Sequence, residues 1–383
     1  MKTIVTFLAV ALGTALAGCQ SELAAPQTPA PELPDYSHHP RHAFYQRELD
    51  NFRRSHGAPG GILLVKTPEH GVWIGASGQA NLEHATPMRG TERIRVGSVT
   101  KTLTATVILK LKEQGKLRLD DKLADWLPQT KNRIPQAETI TLRQLLTHTS
   151  GVRNLGDDNI PFQLALANRP EDVDMTQPET VLNRFVYGKP LDFEPGTRYF
   201  YSNTGFLLLG MIAEKAARKP LKTLFQEMIF APVGMTNSYL EKRDDPRVVR
   251  SYYDLYGDGK LMDVNDWEKA YDDGGAAGGL ITTVSDLLRF SEALFGGTLL
   301  TEQSFAEMRQ STRLPTCPNG DCEYGLGLMT WRFDVGNSLG HNGGVVGLDI
   351  NWLYFPEKQT TVITFINRGV PTDKRVLERL LKE

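Results

Sequence analysis

Val96-Gly97-Ser98-Val99-Thr100-Lys101-Thr102-Leu103 begins the stretch that organises this chain, which runs on to Gly115. Val99, Leu103, Val107 and Leu111 recur four apart, which predicts a helix from Val99 to Gln114 with Gly115 as its stop. Thr100, Thr102, Thr104 and Thr106 are β-branched and lower helix propensity, so burial must hold this helix. Ser98 stands at its start, with Lys101 three residues on along the same face. A serine hydroxyl is a poor nucleophile until a base takes its proton. A lysine at this spacing can take it if burial lowers its pKa towards neutrality. The helix N-terminus also favours developing negative charge. A plainer reading makes Ser98 an N-cap and Lys101 a solvated side chain. Against it, Lys101 is the one charged residue between Val96 and Leu109.

Working outward, residues 41–56 read as a helix. Ile62-Leu63-Leu64-Val65 and Val72-Trp73-Ile74-Gly75 read as strands joined through Pro68-Glu69-His70-Gly71. From about 140 to 300 helical patterns predominate, at Leu142–His148, Gly205–Arg218, Leu221–Phe230 and Val284–Phe295. Strand patterns return at Leu326–Phe333, Val345–Phe355 and Thr360–Asn367, and a helix closes the chain at Asp373–Lys382. The two strand groups must pair to avoid bare edges. The long middle is then an insertion into a sheet domain. The expected fold is α+β, an antiparallel sheet flanked by helices, with a sheet part near 41–97 and 300–383 and a helical part near 98–299.

Composition bounds function less than these patterns do. Of 383 residues, 43 are basic and 45 acidic, so no excess charge exists to hold nucleic acid. The N-terminus reads as an export signal. Lys2 precedes the apolar run Ile4–Ala17, which is too short to span a bilayer comfortably. The run ends Leu16-Ala17-Gly18-Cys19, which resembles the bacterial lipobox, with residues 1–18 removed and Cys19 lipidated. Gln20 after that cysteine favours an outer-membrane destination. Pro26, Pro29, Pro31, Pro34 and Pro40 make residues 19–40 an extended tether. Cys317 and Cys322 flank Pro318-Asn319-Gly320-Asp321, which is turn chemistry, and an exported compartment would oxidise them to a local disulfide. No cluster of ligands suggests a metal.

Two further segments carry chemistry. In Tyr201-Ser202-Asn203 the phenol can relay a proton and the amide can bond a substrate carbonyl, or Ser202 or Asn203 is simply an N-cap. In Gly340-His341-Asn342-Gly343-Gly344 the glycines let backbone N–H groups approach a ligand, or Asn342-Gly343 forms a hairpin turn.

Ser-x-x-Lys, then Tyr-x-Asn, then His-x-Gly, in that order, resembles the signature of the penicillin-recognising serine hydrolases. That family includes class C β-lactamases, D,D-carboxypeptidases, D-aminopeptidases and related esterases. The resemblance covers about residues 40–370, including Leu145-Leu146-Thr147-His148-Thr149-Ser150-Gly151 and Glu194-Pro195-Gly196. It implies a β-lactamase-like fold and an acyl-enzyme at Ser98, with Lys101 and Tyr201 sharing the proton work. Asn203 would orient the substrate amide. His341, with Asn342 and Gly343, would hold a substrate carboxylate, and the N–H groups of Ser98 and Gly344 would form the oxyanion hole. No cofactor is implied. Two departures from class C enzymes, His341 for lysine and Asn342 for threonine or serine, weaken the grip on a carboxylate. The implied substrates are D-amino-acid peptides or peptidoglycan stems, with β-lactams such as penicillins as slow substrates or inhibitors; short acyl esters are the alternative. A non-catalytic wall-binding protein is a third reading, disfavoured because the nucleophile motif is intact.

Overall fold

A computed structural model describes residues 32–382 apart from 157, 313–320, 345 and 373. Cys19 and Cys317 therefore lie outside the described residues. Among the described residues no helix is long and apolar enough to cross a membrane.

The frame is one eight-stranded sheet, antiparallel throughout. Its strands are β1 (Gly60–Thr67), β2 (Gly71–Asn81) and β3 (Thr86–Pro87) from the start of the chain, and β4 (Cys322–Tyr324), β5 (Met329–Phe333), β6 (Gly336–Gly344), β7 (Asp349–Phe355) and β8 (Thr360–Ile366) from its end. The spatial order is β3-β2-β1-β8-β7-β6-β5-β4. The two strand groups join where β1 pairs β8, with Leu64 opposite Ile363. That pairing satisfies both inner edges, as the edge argument requires.

Side-chain alternation splits the sheet's two faces into separate cores. Ile62, Leu64 and Ile363 enter the large core shared with the middle of the chain. Leu63, Val65 and Val362 enter a second core that also takes Tyr45 and Leu49 of helix α1 (His42–Ser55). Leu377 and Leu380 of the closing helix (Lys374–Lys382) belong to that second core.

Helix α2 (Thr100–Glu113) is buried on every side, with Thr100 through Leu109 all inaccessible. Its threonines do more than lower propensity. Thr102 donates to Gly327 O at 2.6 Å and Thr104 to Ala276 O at 2.7 Å, while Thr100 Oγ1 accepts from Leu280 N at 3.1 Å. Burying a hydroxyl is tolerable only with such partners, and these fix the helix in rotation. Helix α3 (Asn203–Ala217) packs on α2. Helix α4 (Asn265–Tyr271) and the loop to Leu280 follow, and then α5 (Val284–Phe295) returns to the sheet, where Phe290 and Phe295 meet Trp352 of β7, each at 5.4 Å between ring centroids.

Three expectations are corrected. The strand expected from Leu326 begins at Met329, because Gly327 turns the chain with φ +68°. The strand expected from Val345 begins at Asp349. Gly340–Gly344 is neither a turn nor a loop beside a strand but the second half of β6, with His341 opposite Trp352. Its glycines give it little intrinsic strand preference. It is extended because β7 pairs it along its whole length to Gly344, while β5 pairs it only as far as Gly340.

Candidate active site

The tight turn Gly97–Val99 and β6 meet at one end of the sheet. Gly97 has φ +47°, a left-handed conformation that glycine adopts without strain. A Cβ on Gly343 would fall 2.0 Å from Val96 O, so β6 can lie this close only with glycine there. Gly343→Ala is expected to cost about 1–3 kcal/mol by overpacking. A lower denaturation midpoint together with slower covalent labelling of the enzyme would show both effects, and an unchanged midpoint would refute the contact.

Ser98 caps nothing: neither the turn nor α2 has a side-chain cap bond. Its Oγ lies 2.9 Å from Lys101 Nζ. Lys101 is fully buried, and its other two partners are Asn203 Oδ1 at 2.7 Å and Ala277 O at 2.9 Å. Burial lowers the Lys101 ammonium to about 7, with the nearby Asp272 carboxylate pulling the other way. As an ammonium Lys101 donates to all three. Ala277 O and Asn203 Oδ1 can only accept, so once a proton is lost the neutral amine keeps its two N–H groups on them and presents its lone pair to the Ser98 hydroxyl. Asn203 is held in that orientation because its Nδ2 donates to Leu155 O at 3.0 Å and to the Tyr271 hydroxyl at 2.8 Å. Both amide hydrogens are thus committed to protein, and Asn203 positions Lys101 as well as bordering the cavity.

The Tyr201 ring lies 4.7 Å from Lys101 Nζ. Its hydroxyl is buried without a partner among the described residues. Burial raises this phenol well above its ordinary pKa, the neighbouring Ser98 hydroxyl opposing. Tyr201 is therefore a neutral phenol that can pass a proton on, and of the two groups expected to share proton work only Lys101 has the free base form near neutral pH.

His341 departs furthest from expectation. It is 1% exposed and does not reach the cavity. Its Nδ1 lies 2.5 Å from Asn342 O, which can only accept, so Nδ1 carries the hydrogen. Nε2 then accepts from the Tyr324 hydroxyl at 3.0 Å. Burial takes its pKa down to about 3, the Asn342 carbonyl opposing and the Lys101 charge adding to the fall. The expected carboxylate-binding cation is a neutral, internally bonded imidazole. Asn342 is exposed and Gly343 is packed on Val96, so neither borders the cavity, whereas Gly344 does. The folded pKa lies below the unfolded value, so His341 contributes stability above about pH 6.5 that is lost as pH falls towards 3. Wild type is expected to melt above His341→Gln at pH 7.5, with the gap narrowing at pH 5. A constant gap would mean that the folded imidazole binds a proton.

The cavity has a volume of about 580 Å³ and is bordered by Ser98, Tyr201, Asn203, Asp272 and Gly344, among others. The N–H groups of Ser98 and Gly344 belong to residues on the same wall, as an oxyanion hole requires. Several contributors had no sequence signal strong enough to single them out. His148, with φ +57°, accepts from Ser202 N at 3.1 Å and lies 4.3 Å from the Tyr201 ring and 4.5 Å from the Tyr324 ring. Glu268, raised to about 8 by burial, accepts from Gly347 N at 2.6 Å and ties the loop after β6 to α4. Asp272 is 6% exposed and reaches the cavity. Cys322 opens β4 and is disulfide-bonded, while Cys317, its expected partner, lies outside the described residues.

Comparison with known proteins agrees with this geometry. The profile of the family described as Beta-lactamase matches residues 45–383. Penicillin-binding protein 4 of Amycolatopsis lactamdurans is 28% identical over 349 residues, 86% of each chain. Esterase EstB of Burkholderia gladioli is 28% identical over 211 residues, 54% of this chain and 53% of that one. The crystal structure of a D-stereospecific amidohydrolase from Streptomyces sp. superposes with a TM-score of 0.77 at 28% identity, covering 90% of this chain and 99% of that one. Three other curated relatives are longer, and the chain spans 73%, 65% and 60% of their lengths. With a matched profile over most of its length and a buried lysine bonded to a serine that borders a cavity, the chain belongs to the Beta-lactamase family of serine hydrolases.

Proposed function

We propose that this hydrolase works through an acyl-enzyme at Ser98 on amide bonds of D-amino-acid derivatives and short peptides. The observation that carries the reading is the 2.9 Å contact between Ser98 Oγ and a Lys101 whose lone pair has nowhere else to point. Lys101 takes the Ser98 proton as Oγ attacks the carbonyl carbon, and the N–H groups of Ser98 and Gly344 receive the developing oxyanion. The proton then passes by way of the Tyr201 phenol to the leaving nitrogen, which departs as an amine. Water reverses the sequence, giving a carboxylic acid and free Ser98. The likeness to the D-stereospecific amidohydrolase supports amides as substrates. The same machinery suits an ester's easier leaving group, and the likeness to esterase EstB supports that second reading. Penicillins and D-Ala-D-Ala peptides carry a carboxylate, and with His341 neutral they are expected to be the slower substrates.

The reading also places the enzyme outside the cytoplasm, held by a lipid on Cys19 and a tether that ends before Leu33 and Tyr36, which pack against the core. Cys19→Ala is expected to move the protein from detergent-extractable membranes to the soluble exported fraction with activity retained; continued detergent-sensitive sedimentation would refute the anchor. Function is tested on protein lacking residues 1–19, with a fluorophosphonate, D-phenylalanine amide, a fluorescent penicillin and p-nitrophenyl acetate. Stoichiometric fluorophosphonate labelling with amide turnover is the expected result. Ester turnover alone would favour the second reading, and no labelling would refute both.

A further inference from the structure

The acidic residues around the catalytic lysine are arranged unequally. Arg95 is held by Asp273 through bonds of 2.8 and 3.1 Å and by Asn265 at 2.9 Å. Asp349, which borders the cavity, accepts from Asn351 Nδ2 at 3.1 Å and from the Thr372 hydroxyl. Asp272 has neither kind of support. It is 6% exposed, yet its carboxylate accepts no hydrogen bond and makes no ion pair within 4.0 Å among the described residues. Lys101, the nearest cation acting on it, has all three of its bonding positions filled by Ser98, Asn203 and Ala277. A Cβ on Gly278 would lie 2.0–2.4 Å from the Asp272 carboxylate, so a glycine leaves the room that this side chain occupies.

The cavity that Asp272 faces has a consistent sign. Asp272 and Asp349 border it, and among the described lining residues there is no lysine, arginine or histidine. Tyr253 and Tyr271 also border it. A buried carboxylate without a partner is costly and is satisfied by a cation that supplies hydrogen bonds. We infer that Asp272 is the specificity-determining carboxylate of this cavity and takes a protonated primary amine carried by the substrate, so that amides of amino acids with a free amino group are preferred over N-acylated ones. This rests on the Ser98 hydrolase reading and adds to it the recognition of the amino group on the acyl side of the scissile bond.

The placement has a consequence for catalysis. In the empty site burial raises Asp272 to about 7, the Lys101 charge opposing, so the two groups share a proton, and the Asp272 carboxylate favours keeping it on Lys101. A bound ammonium offsets that charge, so Lys101 gives up its proton more readily and becomes the base when the right substrate is present. The other groups that act on this pair are Asp273, Glu268 and Arg95 on the Asp272 side, and His148 and His341 on the Lys101 side, with the Tyr201 phenol acting with both. Both histidines are held neutral by burial, Glu268 is raised by it, and Arg95 and Asp273 neutralise each other. Asp272 is therefore the group whose charge a ligand can change.

The test is competition against fluorophosphonate labelling of Ser98, read for D-phenylalanine amide and for N-acetyl-D-phenylalanine amide. It does not depend on turnover. Wild type is expected to be protected by the free amine at about 10–100-fold lower concentration, the range of a charge-assisted hydrogen bond. In Asp272→Asn the two compounds are expected to protect at similar concentrations. Equal protection in wild type, or an undiminished preference in Asp272→Asn, would overturn the assignment, and the wild-type comparison stands even if the variant does not fold. The rising limb of labelling rate against pH is expected to move to lower pH in Asp272→Asn, because Lys101 loses the charge that supports its proton. An unmoved limb would overturn the coupling. Failure of wild type to label at all would instead count against the hydrolase reading itself.

Discussion

Ser98→Ala is expected to abolish covalent labelling by a fluorophosphonate and to lower turnover by about 10⁴-fold or more, the scale seen when a serine nucleophile is removed. The fold should survive. Ser98 caps no helix, and its side-chain bond is to Lys101 Nζ, itself held by Asn203 and Ala277. An unshifted thermal melt would establish that the loss is chemical. What remains should be the small acceleration that a polar cavity and oriented N–H groups give to water. Full-stoichiometry labelling of the variant would place the nucleophile elsewhere and end the Ser-x-x-Lys interpretation.

Lys101→Ala is expected to slow acylation by about 10²–10⁴-fold, the range for a lost general base. Tyr201→Phe should slow it less, because a neutral phenol relays a proton that the lysine has already taken. The double variant should be little worse than Lys101→Ala alone, since both groups serve one transfer. Multiplied losses would mean separate roles. The pH profile gives a sharper check. The attacking form needs the free amine, so wild-type labelling should rise with pH through about 7 and then level. That limb should vanish in Lys101→Ala. A limb that persists there would belong to another group.

How much of this was readable beforehand depended on the range over which each cause acts. The Ser98–Lys101 pairing is local, three residues from the turn Gly97–Val99 into the first turn of α2, and the sequence pointed to it directly, while burial decided it against a solvated lysine. The helix itself needed long-range support. Thr102 and Thr104 look like weak helix formers in sequence, and their bonds to Gly327 and Ala276 come from segments more than 170 residues away. The order of strands, middle and strands was likewise legible from alternation, and it fixed the need for pairing across the insertion. It did not fix β6, because a glycine-rich strand has almost no side-chain pattern to read, and its extension is decided by the neighbours that pair with it.

The roles of charged and polar residues divide the same way. The sequence determined which residue types stand in the three motifs. Only the tertiary structure decided which of them are charged and which face the substrate. His341 is a titrating cation on paper and a neutral buried donor in the fold, because burial beside Tyr201 and Tyr324 removes the water that would solvate its charge. Lys101 undergoes the same desolvation and becomes a base for that reason. Asp272 stands out in neither composition nor spacing. It acquires its standing because Asp273 takes Arg95, Ser98 and Asn203 occupy Lys101, and Gly278 leaves room, a set of contacts that no local pattern encodes.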